Sequence, residues 1–341
     1  MSVTSNPDFG KETTATEVSV ALSKNISGKT VLITGVSPGG LGEATALAIA
    51  SQKPELLILA ARDAAKAEAV ANKLHKQFPE LVSKVIRLDL SSQTSIREAA
   101  DEINGVIHHL DILINNAGVM SVQERTLSED GYEIQFAVNH LGHFLLTNLL
   151  MPKLLVAAKH NEPGATRVVN LTGNWHNFSP IRFSDINFTT NELPPEELPN
   201  VALMSKMGIN CDKVYIPEAA YGQSKAANIL FCLYIKHHLR QRGVTAVALN
   251  PGGILTNIGR HYDEEEVQRI VKSGLLNKNP NQGSATTLVA AFDPALNETE
   301  AIYLMDCQIT QPGKHANSLD VAKKLWELSE KWAKQKFDLE F

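Results

Sequence analysis

The sequence is poor in cysteine, and its three cysteines lie far apart. Cys211, Cys232 and Cys307 form no Cys-x-x-Cys pair in a chain of 341 residues. Closely spaced cysteines are typical of zinc sites and of the disulfide frameworks of small secreted domains. The adjacent histidines at 108–109 and 237–238 would point apart on a helix, so they predict no metal site either. The pattern favours reduced thiols in the cytoplasm.

An excess of positive charge and long apolar runs are also missing. The chain has 32 lysines and arginines against 37 aspartates and glutamates, a net charge of −5. This balance indicates neither a nucleic-acid partner nor an anionic membrane surface. No stretch approaches the roughly 18 apolar residues that a membrane span needs, and the polar segment 1–11 lacks the apolar core of a signal peptide. We expect a cytoplasmic protein without a membrane span.

Hydrophobic residues, by contrast, make up 43% of the chain and fall into two alternating patterns. Short apolar runs rich in β-branched residues are typical of buried parallel strands, and helix-forming segments separate them. The alternation predicts an α/β protein with a single Rossmann-type, doubly wound parallel sheet and helices on both faces. Predicted strands cover 30–34, 56–60, 85–88, 112–114, 168–171 and 246–249, and predicted helices cover 43–50, 64–77, 221–239, a segment from about 94 and a segment through 136–144.

The main domain is predicted to extend from residue 28 to 341. Residues 1–27 before it are interpreted as a loose tail and a short helix, because Thr14 and Glu17 have the spacing of a capping box.

Segment 176–216 interrupts the regular alternation and contains several prolines and aromatic residues. Long insertions in compact domains are usually functional, so this one is predicted to be a lobe that covers the substrate. A surface elaboration unrelated to the substrate is the alternative. Residues 318–336 have the periodicity of one amphipathic helix that docks on the domain.

A glycine-rich loop, 35–42, joins the first predicted strand to the first predicted helix of the sheet. Glycines let a backbone approach a pyrophosphate, and a helix N-terminus offers free N–H groups, so the loop predicts a dinucleotide site. A plain glycine-rich loop is the alternative. Arg62 follows the second strand and favours NADP, since arginine suits a 2′-phosphate. A solvated pair with Asp63 is the other interpretation.

Tyr221 and Lys225 stand four residues apart at the start of an apolar, helix-forming run. This spacing puts the phenol and the ammonium on one helix face, one turn apart. A nearby positive charge lowers the pKa of a phenol, so Tyr221 could transfer a proton at neutral pH. The same pair also occurs by chance on amphipathic surface helices, because short motifs give many false positives.

The motifs taken together resemble the short-chain dehydrogenase/reductase family, and within it the retinol-dehydrogenase-like branch found among fungal oxidoreductases. The resemblance covers residues 28 to about 329. The motifs that carry it are Thr34-Gly35 with Gly40-Leu41-Gly42, Asp89, Asn115-Asn116-Ala117-Gly118, Asn139, Tyr221-x-x-x-Lys225 and Pro251-Gly252-x-x-x-Thr256.

The resemblance implies an NADP(H)-dependent oxidoreductase that interconverts a carbonyl and an alcohol on a fairly large apolar small-molecule substrate, in a chain that can pair as a homodimer. It implies that Tyr221 is the general acid or base. Lys225 would lower the Tyr221 pKa, and Asn139 would hold a water that links Lys225 to solvent. The implied cofactor-binding residues are Gly35, Ser37, Gly40, Leu41, Gly42, Arg62, Asp89, Leu90, Asn116, Ala117, Gly118, Tyr221, Lys225, Pro251, Gly252, Gly253 and Thr256.

The chain departs from the family pattern in two places. The glycine loop is one residue longer than usual, and we assign the extra residue to 36–39. The family also has a serine that helps to hold the substrate oxygen, where this chain has Gly173, so Thr172 or Asn174 is expected to replace it. The missing serine leaves a non-redox reaction open as an alternative, namely dehydration, isomerisation or cyclisation with Tyr221 still moving a proton. Nucleotide binding without catalysis is a third, less favoured hypothesis.

Overall fold

The protein is described by a computed structural model that covers residues 3–254, 256–259, 268 and 276–339. Eight strands form one sheet. They are β1 (Thr30–Thr34), β2 (Leu56–Ala61), β3 (Ser83–Arg87), β4 (Ile112–Asn115), β5 (Thr166–Leu171), β6 (Val244–Asn250), β7 (Tyr303–Met305) and β8 (Gln308–Ile309).

The strand order is β3-β2-β1-β4-β5-β6-β7-β8. All neighbours pair in parallel except β8, which is antiparallel to β7. The predicted doubly wound sheet is thus confirmed. Strands β7 and β8 were not predicted, because two or three residues are too few to show a strand pattern.

Helices cover both faces of the sheet. They are α1 (Ala15–Ala21), α2 (Ser23–Ile26), α3 (Leu41–Ala50), α4 (Ala64–Gln77), α5 (Gln93–Val106), α6 (Ile134–Phe136), α7 (Gly142–Ala158), α8 (Val201–Lys206), α9 (Pro217–Leu239), α10 (Pro280–Phe292) and α11 (Leu319–Ala333). One apolar core joins α5, α7, α9 and α11 to the sheet, and a second joins α1 to α4 and α10 to the opposite face. Two cores explain why every residue of β1, β5 and β6 is buried.

The point where the chain reverses its direction of winding lies between β1 and β4. From β1 the chain first adds β2 and β3 on one side, and then crosses to β4 on the other. In open α/β sheets the crevice at such a switch point, at the carboxyl ends of the strands, is where ligands bind. The topology therefore directs attention to the loops that follow β1 and β4.

The N-terminal segment packs against the domain, where a loose tail was predicted. Thr4 is 2% exposed, and the Ser5 backbone N–H donates to Asp293 at 2.8 Å. The Gln308 amide donates to the Phe9 carbonyl at 2.7 Å. These polar contacts join residues about 300 positions apart, which a local sequence pattern cannot reveal. The capping box at Thr14 is confirmed.

Helix α11 lies across the outer faces of α7 and α9. Trp326 stacks on Tyr234 of α9, with ring centroids 4.4 Å apart, and meets Phe144 of α7 edge-on at 4.8 Å. The helix ends at Ala333, three residues before the predicted end, where Lys334 adopts a left-handed conformation. A homodimer that paired through α7 and α9 would have to accommodate α11. The homodimer stays a prediction.

The segment predicted as a lobe has a small apolar core of its own. Phe178, Phe188, Met204 and Ile216 are buried there together with the first turn of α9. Gln223 of α9 anchors the lobe, since its side-chain oxygen accepts a hydrogen bond from the Arg182 backbone N–H at 2.9 Å. The lobe is therefore packed onto the helix that carries Tyr221.

One helical stretch, Ile134–Ala158, is long and apolar enough to cross a membrane by length and composition. Two thirds of its most apolar window, 67%, is buried inside the domain, and the stretch supplies Phe144 and Leu150 to the core. A core helix of a soluble domain passes the same test, so the stretch is weak evidence for a membrane span.

Candidate active site

The loops after β1 and β4 touch backbone to backbone. Gly35 follows β1 with a φ of +73°, and a β-carbon there would lie only 2.5 Å from the Ala117 Cα. A β-carbon at Gly42 would lie 2.9 Å from the Gly35 carbonyl oxygen. Side chains fit at neither position, because real β-carbon contacts are essentially never this short. These glycines bring the two loops and the start of α3 together.

Hydrogen bonds hold the same two loops in register. The Thr34 hydroxyl accepts from the backbone N–H groups of Asn116 and Ala117, both at 3.0 Å. The Asn116 amide donates in return to the Thr34 carbonyl at 2.7 Å. Because these bonds are internal to the protein, the crevice is preorganised by the chain itself.

A cleft opens over these loops at the switch point. Its floor is the glycine loop and the loop after β4, and its rim carries Arg62 at the end of β2. Most of the predicted cofactor-binding residues line this cleft, namely Gly35, Ser37, Gly40, Leu41, Arg62, Asp89, Leu90, Asn116, Ala117, Gly118 and Thr256. Val119, Val138 and Ile258 also line it and were not predicted, because an apolar wall residue carries no motif.

Six predicted cofactor residues do not line the described part of the cleft, namely Gly42, Pro251, Gly252, Gly253, Tyr221 and Lys225. Gly42 lies beneath the loop, as its close approach to Gly35 requires. Segment 251–253 follows β6, where the Asn250 side chain accepts from the Gly252 N–H at 3.0 Å and Gly252 has a φ of +91°. That segment turns toward Lys278. Its cofactor role stays a prediction.

Tyr221 and Lys225 share one face of α9, as their spacing predicts. Tyr221 is 6% exposed and Lys225 is 3% exposed. The Lys225 Nζ lies 5.3 Å from the centroid of the Tyr221 ring, and it donates to the Leu171 carbonyl, at the end of β5, at 3.1 Å. A β-carbon at Gly118 would lie 3.7 Å from this Nζ. The absence of a side chain at Gly118 thus opens the cleft toward the ammonium.

Burial makes the Lys225 ammonium more acidic than that of an exposed lysine. Removal from water disfavours the charged form, and this lowers the pKa of Lys225 to about 7. An ordinary lysine keeps its proton far above neutral pH. Lys225 therefore gains or loses the positive charge beside Tyr221 near neutral pH.

Asn139 lies in a single π-helical turn, Ala137–Leu141, between α6 and α7. Its side chain is fully used, because its oxygen accepts from the Val119 N–H at 2.8 Å while its nitrogen donates to the Val119 carbonyl and to the Ser224 hydroxyl, both at 2.9 Å. Isolated π-turns are frequent at functional sites. Asn139 thus joins the loop after β4 to the helix that carries Tyr221.

A buried histidine extends this link to the glycine loop. The His143 Nδ1 lies 3.0 Å from the Asn139 carbonyl oxygen, and its Nε2 lies 2.9 Å from the Thr34 hydroxyl. Burial lowers the pKa of His143 to about 4, so the ring is neutral at pH 7. The Asn139 carbonyl accepts from Nδ1, and the Thr34 hydroxyl donates to Nε2. His143 was not predicted as a site residue.

Gly173, which stands where the family has a serine, has space beside it. Gly173 has extended backbone, and a β-carbon there would meet only the Asn250 side-chain oxygen, at 3.9 Å. The Thr172 hydroxyl donates to the Lys225 carbonyl at 2.7 Å, and Thr172 is 4% exposed. Asn174 is exposed. The prediction that one of these two replaces the serine is not tested by this arrangement, although Thr172 already has an internal partner.

An aromatic wall stands beside the Tyr221 ring. Trp175 meets it edge-on, with centroids 5.7 Å apart, and Phe178 packs behind Trp175 at 5.1 Å. This approach depends on Gly222, where a β-carbon would lie 2.5 Å from the Trp175 carbonyl oxygen. Trp175 was not predicted as a site residue. The glycine that follows Tyr221 was its only sequence signal.

Within the described ranges, no group of three or more His, Cys, Asp and Glu residues could hold a metal ion. The three cysteines are free thiols, and two of them are buried.

Comparison with known proteins matches this fold and cleft to a family. Residues 29–176 fit the profile of the short chain dehydrogenase family. The chain is 41% identical to the oxidoreductase fscI of Fusarium equiseti over 72% of this chain and 95% of that protein. The chain belongs to the short-chain dehydrogenase family. Human retinol dehydrogenase 13 is 36% identical over 88% of this chain and 83% of its own length, which supports the retinol-dehydrogenase-like branch.

Solved structures agree with the family assignment. A crystal structure of an uncharacterised protein from Mycobacterium paratuberculosis superposes with a TM-score of 0.65 at 29% identity, over 92% of this chain and 96% of that chain. Short-chain dehydrogenases are oxidoreductases that use nicotinamide cofactors and act on small molecules. The residues at the switch point fit such a cofactor, because the N-terminus of α3, which has no side-chain cap, adjoins the cleft at Gly40 and Leu41.

Proposed function

We propose that the protein is an NADP(H)-dependent oxidoreductase that interconverts a carbonyl and an alcohol, with Tyr221 as the general acid or base. The observation that carries this proposal is the buried pair on α9. The Lys225 ammonium lies 5.3 Å from the centroid of the Tyr221 ring, and Gly118 opens the cofactor cleft toward that ammonium. A protein that only bound the nucleotide would have no need of a buried cation beside a phenol.

The nicotinamide cofactor supplies or accepts the hydride. The Tyr221 phenol donates its proton to the carbonyl oxygen when the alcohol forms and takes it back in the reverse reaction. The Lys225 ammonium stabilises the phenolate left behind, because an opposite charge favours the ionised form. The Leu171 carbonyl orients the ammonium by accepting a hydrogen bond from it. The Asn139 side chain holds the loop after β4 against the helix of Tyr221 through Val119 and Ser224.

Asn174 is the better of the two replacements for the missing serine. The Thr172 hydroxyl donates its single proton to the Lys225 carbonyl, so it would have to break that bond to donate to a substrate. Asn174 is exposed at the first position of the turn that carries Trp175, and its amide has two N–H donors. We therefore assign to Asn174 the donor to the substrate oxygen.

Arg62 supports NADP as the cofactor. It lines the cleft at the end of β2, and its guanidinium forms a planar fork that pairs with a phosphate better than a lysine does. Asp63, the next residue, accepts from the Ala65 N–H at 3.1 Å and caps α4. The cap engages one oxygen of the Asp63 carboxylate, and the residues that line the described part of the cleft include Arg62 but not Asp63.

The substrate is a fairly large apolar carbonyl or alcohol. Trp175 stands beside the Tyr221 ring, and Phe178 backs it, so a molecule at the phenol would contact an aromatic surface. The lobe also carries the half-exposed apolar side chains Leu198, Val201 and Val214 on its surface. An aromatic surface beside the phenol favours an apolar ligand.

The test is a panel of aliphatic, aromatic and isoprenoid aldehydes and ketones incubated with the purified protein and NADPH. Loss of the nicotinamide absorbance, matched by an equal amount of alcohol, is the expected result. Conversion of a panel member to an isomer or a dehydrated product with NADPH unchanged would instead support the non-redox alternative. Gly173→Ser sharpens the test, since the structure has room for the side chain. If reduction appears only in that variant, the native reaction is not an ordinary reduction.

A further inference from the structure

The extra residue of the glycine loop is accommodated in a tight turn. Residues 37–40 read Ser-Pro-Gly-Gly, and the Gly40 N–H donates to the Ser37 carbonyl at 3.2 Å. Proline at the second position and a glycine with positive φ at the third are the signature of a type II turn. Gly39, at the third position, has a φ of +74°. The turn projects from the floor of the cofactor cleft, which Ser37 and Gly40 line.

One carboxylate holds the tip of this turn. Glu43, in the first turn of α3, accepts from the Gly39 N–H at 2.6 Å. Its side chain is 11% exposed, and a β-carbon built on Gly39 would meet no atom within 4 Å, so the tip of the turn has open space beside it. A charged acceptor makes such a bond roughly twice as strong as a neutral one. The position of the turn therefore depends on Glu43.

The other oxygen of Glu43 reaches the next helix. It accepts from the Lys73 Nζ at 2.9 Å, and Lys73 belongs to α4, which begins directly after Arg62 and its neighbour Asp63. The ion pair thus joins the turn at Ser37 to the helix behind Arg62. Ser37 and Arg62 both line the cleft.

We propose that Glu43 is a positioning residue for the adenosine-phosphate half of the cofactor. By holding the Gly39 N–H it fixes the Ser37–Gly40 turn, and through Lys73 it fixes the distance between that turn and Arg62. Lys73 also neutralises a carboxylate that would otherwise repel the phosphates of the cofactor. The inference rests on the proposed function, since it takes the cleft to be a nicotinamide-dinucleotide site.

Titration of the full chain with NADPH, followed by nicotinamide fluorescence, tests this inference without any substrate. Glu43→Ala should raise the dissociation constant about tenfold, in keeping with the loss of a charge-assisted hydrogen bond. Glu43→Gln keeps an oxygen that can accept from Gly39, so it should bind within about threefold of the unmutated protein. The fragment 2′,5′-ADP should lose affinity in parallel with NADPH, whereas nicotinamide mononucleotide should not.

Glu102 provides the matched control, since it forms a 3.0 Å ion pair with Lys84 on the outer surface. Glu102→Ala should leave NADPH binding unchanged, and thermal unfolding of each variant separates loss of fold from loss of binding. Equal NADPH affinity in Glu43→Ala and the unmutated protein would overturn the inference, as would an equal loss in Glu43→Ala and Glu43→Gln. An unmutated protein that binds neither NADPH nor NADH would instead overturn the proposed function.

Discussion

The two halves of the candidate site are built in different ways. On the cofactor side, backbone meets backbone, and the glycines at 35 and 42 leave less than 3 Å for a β-carbon. On the substrate side, Trp175 packs edge-on against the Tyr221 ring, and the nearest atom to a β-carbon built at Gly173 would be 3.9 Å away. The first half is fixed by contacts that exclude every other residue type. In the second half, the contacts at Gly173 leave space for a larger residue.

The difference shows what each half must do. Enzymes of the family share the same kind of cofactor, so a site for it gains from a rigid backbone cradle that needs no reorganisation on binding. Substrates differ among enzymes on one fold, and their specificity lies in loops and insertions. Four predictions test this division, from the largest expected effect to the smallest.

Tyr221→Phe should show the largest difference between the two halves, because it should reduce turnover strongly and cofactor binding little. Removing the phenol oxygen removes the general acid, and such groups contribute roughly 10²–10⁴-fold to rate. NADPH binding should stay within about threefold, because the ring still packs on Trp175 and the ammonium of Lys225 is untouched. Turnover on a panel substrate and NADPH titration measure both quantities. A variant that keeps full turnover would refute the assignment of Tyr221.

Gly35→Ala and Gly173→Ala make the same change on the two sides. At Gly35 the new β-carbon would clash with Ala117 and force a residue into positive φ, so the free energy of unfolding should fall by about 3 kcal/mol. At Gly173 it should change by less than about 0.5 kcal/mol. Urea unfolding of both variants gives the two values. Similar losses at both positions would remove the contrast between the halves.

The ionisation of Lys225 should appear in the pH dependence of stability. Its pKa is lowered to about 7 in the folded protein, whereas an exposed lysine titrates near 10.4. Between these values the unfolded chain binds more protons, so stability rises with pH, by up to about 1.4 kcal/mol per pH unit. Lys225→Met should lack this rise. Urea unfolding from pH 6 to 10 measures the difference, with Lys84→Met as an exposed control. Parallel curves for the Lys225→Met variant and the unmutated protein would show that burial does not lower the pKa of Lys225.

Arg62→Ala should have the smallest effect of the four, and this effect should be confined to cofactor binding. The dissociation constant for NADP should rise about tenfold while that for NAD changes little, since only the first has a 2′-phosphate for the guanidinium. Calorimetric titration with both cofactors gives the ratio. An unmutated protein with equal affinity for the two would refute the choice of NADP.

The cofactor half could be predicted from the sequence because its requirements are local. Gly35 and Gly42 stand within eight residues directly after a buried strand, and only glycine fits their contacts. The Tyr221 and Lys225 pair was found for the same reason, since one helical turn joins them. Trp175 and His143 could not be predicted, because their partners lie 46 and 109 positions away in the chain. Gly39 and Glu43 are close in sequence, yet nothing in the pattern showed that one carboxylate holds the turn.

The most direct test of the account is the fate of the hydride. The protein is incubated with NADPH carrying deuterium at the transferable position of the nicotinamide C4 and with a carbonyl from the panel, and the product is analysed by mass spectrometry. The account predicts an alcohol with one deuterium on the former carbonyl carbon and one NADP formed per product. A product that forms without deuterium, as an isomer or after loss of water, would contradict it and assign Tyr221 to proton transfer in a non-redox reaction.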